Sequence, residues 1–295
     1  MASDRERNDT RGKDGRGRKG GFQPNPQAAR GEAARGEAGR SGPRRPAPSR
    51  EDASGWVWGW HAVEAALRNP DRPRPDLILA TADRARTIAG LRPELKPELC
   101  EPQDIARRLP QGAAHNGVAI RTPPLEGVGI EALAYPANGV ILMLDQVTDP
   151  QNVGAILRSA AAFGARGVIM QDRHAPALGG ALAKAAAGAL DRIPVVRAVN
   201  LSRALEALSD AGWTSIGLDG QAPDALGNIV NQPAIVIVLG SEGEGLRRLV
   251  AEHCDTLASI PMPGGFESLN VASAAAVALY AASVRSGARV AGELA

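Results

Sequence analysis

Apolar positions in this chain cluster into short continuous runs separated by segments of helical period, and the first run begins near residue 56. Trp56, Val57, Trp58 and Trp60 precede a helical pattern from His61 to Leu67, with Val63, Ala66 and Leu67 on one side. Asp76-Leu77-Ile78-Leu79-Ala80 and Gly117-Val118-Ala119-Ile120 read as short buried strands. Between them Asp83–Gly90 and Pro102–Leu109 read as helices, so residues 53–123 predict a small α/β domain. Pro123-Pro124 through Pro136-Ala137-Asn138-Gly139 reads as a linker over residues 124–138.

A second pattern starts at Val140-Ile141-Leu142-Met143-Leu144, a run without alternation, as expected of a strand covered on both faces. Asp149-Pro150 then supplies an N-cap and a proline at the first helical position. Val153, Ile156, Leu157, Ala160 and Gly164 predict the buried stripe of that helix. Strand-like runs recur at Gly167–Met170, Pro194–Val196, Thr214–Leu218, Ala234–Leu239 and Thr256–Ile260. Helical segments at about 178–188, 201–211, 245–252 and 270–286 lie between or after them. The alternation predicts an α/β domain over residues 139–295, a mostly parallel sheet with helices on both faces.

Charge adds a third region. The formal net charge of +2 hides a split. Residues 1–50 hold 13 basic and 6 acidic residues, a net of +7, and the other 245 hold 21 and 26, a net of −5. The first 50 residues contain no Leu, Ile or Val, so residues 1–52 are expected to be a disordered basic tail. Its Arg-Gly pairs suit phosphate contacts through charge alone, or merely solubility. No stretch approaches the roughly 20 apolar residues of a membrane span. Asp4, Arg5, Glu6 and Arg7 do not resemble a secretory signal. Cys100 and Cys254 lie in no motif, and His61, His115, His174 and His253 have no metal spacing. The expectation is a soluble cytoplasmic protein without a metal.

Three segments place polar or glycine residues just after predicted strands, where open α/β sheets have their ligand crevice. In the first, a polar loop runs into a helix N-terminus at Asp149-Pro150-Gln151-Asn152-Val153-Gly154, with Arg158 six residues beyond Asn152. On position alone Arg158 also reads as a solvated helix arginine, and Asn152 as a first-turn cap. The second, Leu239-Gly240-Ser241-Glu242-Gly243-Glu244-Gly245, suits close backbone approach to a ligand or a tight turn. It is neither a P-loop nor a dinucleotide fingerprint, and its two carboxylates favour a neutral or cationic ligand over a phosphate. In the third, Ile260-Pro261-Met262 leads through a Pro/Gly loop to Ser268-Leu269-Asn270-Val271, where Ser268 and Asn270 read as caps of an Ala-rich helix. Ser268 has no convincing histidine partner, which argues against a serine hydrolase.

In this order and spacing the three segments resemble the SpoU/TrmH family of AdoMet-dependent RNA 2′-O-ribose methyltransferases. Trp58-Gly59-Trp60-His61-Ala62-Val63 and His115-Asn116-Gly117-Val118-Ala119 resemble the L30e-like, RNA-binding accessory domain of many members. The resemblance implies an α/β SPOUT fold, a trefoil-knotted, mostly parallel sheet with a small N-terminal L30e-like domain. General topology rules would not have suggested a knot. It also implies S-adenosyl-L-methionine (AdoMet) held by Leu239, Gly240, Ile260, Met262 and Leu269, and catalysis by Arg158, Asn152, Glu242, Ser268 and Asn270. A departure lies at Val271-Ala272-Ser273, where many relatives have Ser directly after Val.

The implied function is methyl transfer to a ribose 2′-hydroxyl of RNA by a homodimer with neither a DNA nor a membrane partner. His253-Cys254-Asp255 and the accessory domain favour a guanosine of 23S rRNA over tRNA as the substrate. A tRNA ribose methyltransferase and a non-catalytic RNA-binding module remain the alternatives. Under the RNA reading, the +7 tail adds attraction that is independent of sequence and weakens with salt. Deleting residues 1–50 is therefore expected to weaken RNA binding at low salt and spare the chemical step. A salt titration of binding checks this; an unchanged salt dependence counts against it.

Overall fold

The tryptophan-rich stretch before the first helix is itself a strand. The computed structural model describes residues 55–265 and 268–285, all within one compact unit. The segment read as a disordered tail lies outside these residues. Strand β1 (Trp56–Trp58) sends Trp56 and Trp58 to one apolar cluster and Val57 to another. With both faces buried, no polar residue marks the two-residue period, so the pattern did not declare a strand. Helix α1 (Trp60–Arg68) follows, then β2 (Leu77–Ala80), α2 (Ala82–Leu91), the two-residue edge strand β3 (Glu98–Leu99), α3 (Pro102–Ala106) and β4 (Val118–Arg121). They form a four-stranded sheet ordered β1-β4-β2-β3, with β4 antiparallel to both neighbours and β3 parallel to β2.

The segment read as a linker has structure of its own. Leu125 and Val128 form bridges to Leu178 and Val196, and a short helix, α4 (Glu131–Ala134), buries Leu133 and Ala134. Its carbonyls are taken: Trp213 Nε1 donates to Ala134 O at 2.9 Å and Arg166 Nε to Leu133 O at 2.6 Å.

Beyond it run β5 (Gly139–Leu144), α5 (Pro150–Ala162), β6 (Gly167–Gln171), α6 (Gly180–Ala186), a 3-10 turn (Ala189–Asp191) and β7 (Val195–Ala198). Then follow α7 (Leu201–Asp210), β8 (Thr214–Leu218), α8 (Leu226–Ile229), β9 (Ala234–Leu239), α9 (Arg248–Glu252), β10 (Thr256–Ala258) and α10 (Val271–Arg285). The six strands are ordered β10-β8-β9-β5-β6-β7, and every neighbouring pair is parallel. Alternate residues of the central strands enter different cores. Leu142, Leu144, Ile235, Ile237 and Leu239 pack on one face; Ile141, Met143, Val236 and Val238 pack on the other.

Three helical expectations are corrected. Helix α5 ends at Ala162, and Gly164, exposed at φ 66°, is a turn residue rather than part of the stripe. The segment 178–188 breaks at Ala187 and Gly188, both left-handed, before the 3-10 turn. Residues 245–247 precede α9, because Ser241 and Gly245 pair with each other across a turn.

The first core continues from the large sheet into the small one, joining Val57, Val63 and Ala66 to Ala186, Ala189 and Leu190. Across this junction Arg72 Nε donates to Asp191 Oδ1 at 2.6 Å and Nη2 to Oδ2 at 3.2 Å, with both side chains 1% exposed. Asn69 Nδ2 donates to the same carboxylate at 3.2 Å. Asp191→Ala leaves the Arg72 charge buried without a counter-ion and is expected to cost about 3–5 kcal/mol in urea unfolding. Replacing both partners with apolar residues of similar volume should recover most of that loss.

Candidate active site

Each of the three polar segments is delivered by a strand end. Asp149 closes the N-terminus of α5 as expected, its carboxylate accepting from Gln151 N at 3.2 Å and Asn152 N at 3.3 Å. That fixes Asn152 in the first turn, on the polar side of a helix whose Val153, Ile156, Leu157 and Ala160 are buried. After β9 the chain makes a tight loop in which Ser241 N donates to Gly245 O and Gly245 N to Ser241 O, both at 3.1 Å. A Cβ on Gly240 would stand 2.1 Å from the Gly245 carbonyl carbon, so this position excludes any larger residue. The loop's exit is clamped by Asp145, fully buried just past β5. Arg247 donates its backbone N–H to Asp145 Oδ2 at 2.9 Å and its Nε to Oδ1 at 2.7 Å.

Asn270 stands at the entry to α10. Its side-chain oxygen accepts from Ala272 N at 3.0 Å and Ser273 N at 3.4 Å, so among the described residues Asn270 caps this helix and Ser268 does not. The cap turns the Asn270 amide outward, where it donates to Asn152 Oδ1 at 3.0 Å and Glu242 Oε1 at 2.5 Å. Asn152 Nδ2 donates to the same Glu242 oxygen at 3.2 Å. Residues 118 positions apart in the chain thus close a three-membered hydrogen-bonded ring, one member from each segment.

Beside the ring lies a cavity of about 770 Å³, at the carboxyl ends of β8, β9 and β10. Leu239, Gly240, Ile260, Met262 and Leu269, the five positions expected to hold a cofactor, all line it. So do Glu242, Ser268 and Asn270. Arg158 does not. It is exposed on α5, about 9 Å along the axis from Asn152, and makes no hydrogen bond or ion pair among the described residues.

Sequence reasoning passed over two features. The loop after β8, Leu218-Asp219-Gly220-Gln221, forms one wall of the cavity. Its signal was a polar Asp-Gly turn closing a predicted strand, like the three segments that were singled out. The other is the Asp145–Arg247 clamp, whose partners lie 102 residues apart. Among the described residues the lining includes Asp219, Glu242 and Glu244 but no Lys, Arg or His, so the cavity favours a neutral or cationic guest. Among the described residues no cluster of His, Cys, Asp or Glu is built to hold a metal. Cys254, with its thiol pushed up to about 12 by burial and by the nearby Asp255 and Asp145 carboxylates, is no nucleophile.

The SpoU rRNA Methylase family model covers residues 139–280. An uncharacterized tRNA/rRNA methyltransferase of Mycolicibacterium vanbaalenii is 41% identical over 177 residues, 58% of this chain and 56% of that protein. The chain therefore spans little more than half the length of such relatives. The 23S rRNA (guanosine-2′-O-)-methyltransferase RlmB of Xanthomonas campestris pv. campestris is 36% identical over 254 residues, 77% of this chain and 95% of that protein. Among solved structures, the SpoU methyltransferase AviRb from Streptomyces viridochromogenes aligns with a TM-score of 0.67 at 26% identity, over 82% of this chain and 94% of that one. The RlmB likeness runs almost from end to end of that protein, and the three motif segments meet in one hydrogen-bonded ring beside the cavity: the chain belongs to the SpoU rRNA methylase family.

Proposed function

We propose that this protein transfers a methyl group from AdoMet to a ribose 2′-hydroxyl of RNA, with a guanosine of 23S rRNA as the substrate. The observation that carries the reading is the Asn152–Glu242–Asn270 ring at the edge of a cavity lined by carboxylates and apolar groups. The named activity of the Xanthomonas RlmB supports the substrate, and AviRb has also been solved in complex with the cofactor AdoMet. AdoMet supplies a methyl group already activated by a sulfonium. The protein's task is then to align the hydroxyl, shed its proton and exclude water. Leu239, Ile260, Met262 and Leu269 provide apolar walls for the cofactor, and Gly240 lets the backbone approach it. The carboxylates of Glu242 and Asp219 suit its positive charge. Asn152 and Asn270 hold Glu242 in one orientation, and Ser268 offers a hydroxyl at the cavity wall.

Arg158 has the chemistry for the substrate side. A guanidinium stays protonated and cannot serve as the base. It can orient a substrate phosphate and stabilise the developing alkoxide, the proton leaving through phosphate or water. Its exposure, with no protein partner among the described residues, suits that role.

The same reading makes residues 53–123 an L30e-like RNA-binding domain, 124–138 the connection and 139–295 the SPOUT domain, with the loops after β9 and β10 in its trefoil knot. It also makes the active form a homodimer in the cytoplasm. Helix α10 supports the dimer: Asn270, Val271 and Ala274 wall the cavity, while Val277, Tyr280 and Val284 lie exposed further along it. Phe163 packs edge-on to Tyr280, extending this apolar face, which suits a second copy. No helix among the described residues is long and apolar enough to cross a membrane.

RNA methylated in vitro and digested to nucleosides should contain 2′-O-methylguanosine when ribosomal RNA is supplied. Label in tRNA alone would refute the rRNA assignment, and absence of AdoMet binding in calorimetry would favour a non-catalytic module. Arg158→Ala is expected to lower kcat by about 10²–10³-fold while leaving AdoMet affinity intact, read by single-turnover methylation. Gly240→Ala should weaken AdoMet binding at least tenfold, about 1.4 kcal/mol by calorimetry, because its Cβ displaces the Gly245 backbone.

A further inference from the structure

Two sequence motifs of the small sheet, Trp58-Gly59-Trp60-His61 and His115-Asn116-Gly117, have no part in the chemistry above. Both converge on a single lysine of the large sheet. Lys184, on α6, donates from Nζ to Asn116 Oδ1 at 3.1 Å. A Cβ on Gly59 would stand 2.4 Å from that same Nζ, so the glycine makes room for the ammonium against the backbone. The backbone carbonyl of Asn116 accepts from Arg84 Nε at 3.2 Å, and the Arg84 guanidinium lies 4.8 Å over the Trp60 ring. Two cations of different elements are thus anchored on one asparagine, beside an indole.

Neither cation has a counter-ion among the described residues. Asp83, next to Arg84 in the chain, is paired with Arg86 instead. Burial lowers the Lys184 pKa, and burial together with the Lys184 charge lowers that of His115. An ammonium partly withdrawn from water, with only a neutral amide oxygen for a partner, is poorly compensated. An arriving anion corrects that. Arg84, held over the Trp60 ring, remains partly exposed, as a cation that meets a nucleic-acid strand must be.

We propose that Lys184 and Arg84 form a phosphate-binding site for the RNA backbone at the junction of the two sheets, with the Trp60 ring holding the Arg84 guanidinium in place. This rests on the RNA reading above and locates a contact that reading leaves open. The site is coupled mechanically to the chemistry. Residue 185, next to the lysine, lies against α5: a Cβ on Gly154 would stand 2.4 Å from Ala185 Cβ. Helix α5 carries Asn152 and Arg158. A phosphate held at Lys184 therefore sets the strand relative to the helix that meets the ribose.

The test is binding of deproteinised 23S rRNA as a function of salt, with Arg84→Gln and Lys184→Gln in the full chain. Each substitution should flatten the slope of log K against log salt by about 1 and weaken binding to all RNA sequences alike. Arg84→Lys should retain the slope, and AdoMet affinity should not move. Lys184→Gln also breaks the link to Asn116; if it unfolds, Arg84→Gln decides. Lowered melting temperatures with an unchanged salt slope would make the cluster merely structural and overturn the proposal. Wild-type protein that neither binds nor methylates RNA would instead overturn the functional reading itself.

Discussion

The carboxylate of Asp145 is the point from which the site is suspended. It is wholly buried at the end of β5, and a charge removed from water must be met by donors. Arg247 meets it with its backbone N–H at 2.9 Å and its guanidinium at 2.7 Å. This contact returns the chain after the Gly240–Gly245 turn to the strand that leads into α5. Glu242, within that turn, is thereby presented to Asn152 in the first turn of the helix, and the cap at α10 turns Asn270 toward both. Each contact restricts the next.

A second constraint joins recognition to chemistry. One continuous core and a buried ion pair tie the small sheet to the large one. The connection between them is itself packed, with its carbonyls bonded to Arg166 and Trp213. A surface on the small sheet therefore stands at a set position relative to the cavity. Under the proposed RNA reading, that fixed placement lets position along a folded RNA be read by geometry.

Legibility in the sequence followed burial. Strands β5 and β9 were plain, since a short unbroken apolar run is what a strand buried on both faces requires, and Asp149-Pro150 announced the start of α5. Strand β1 was hidden because its alternate tryptophans and valine all enter cores. Strand β3 was hidden because two exposed edge residues carry no pattern. The five positions expected to hold a cofactor were legible only through motif resemblance, and all five line the cavity. Arg158 shared that resemblance but stands outside the cavity wall, and the Asp219 loop that completes the wall carried no motif.

Local chemistry by itself determined the strands of the large sheet, where α5 starts and which loops carry polar and glycine residues. Those properties depend on neighbours within a few positions, such as an N-cap and its N–H groups or alternate side chains along a strand. Only the tertiary structure decided that Asn152 meets both Glu242 and Asn270, that Asp145 takes Arg247, and that Gly59 and Asn116 enclose Lys184. Each of those contacts joins residues at least 68 positions apart. Their meeting depends on strand order, and no local pattern encodes that β9 lies between β8 and β5. That order arises when the whole chain buries both faces of its parallel sheet at once.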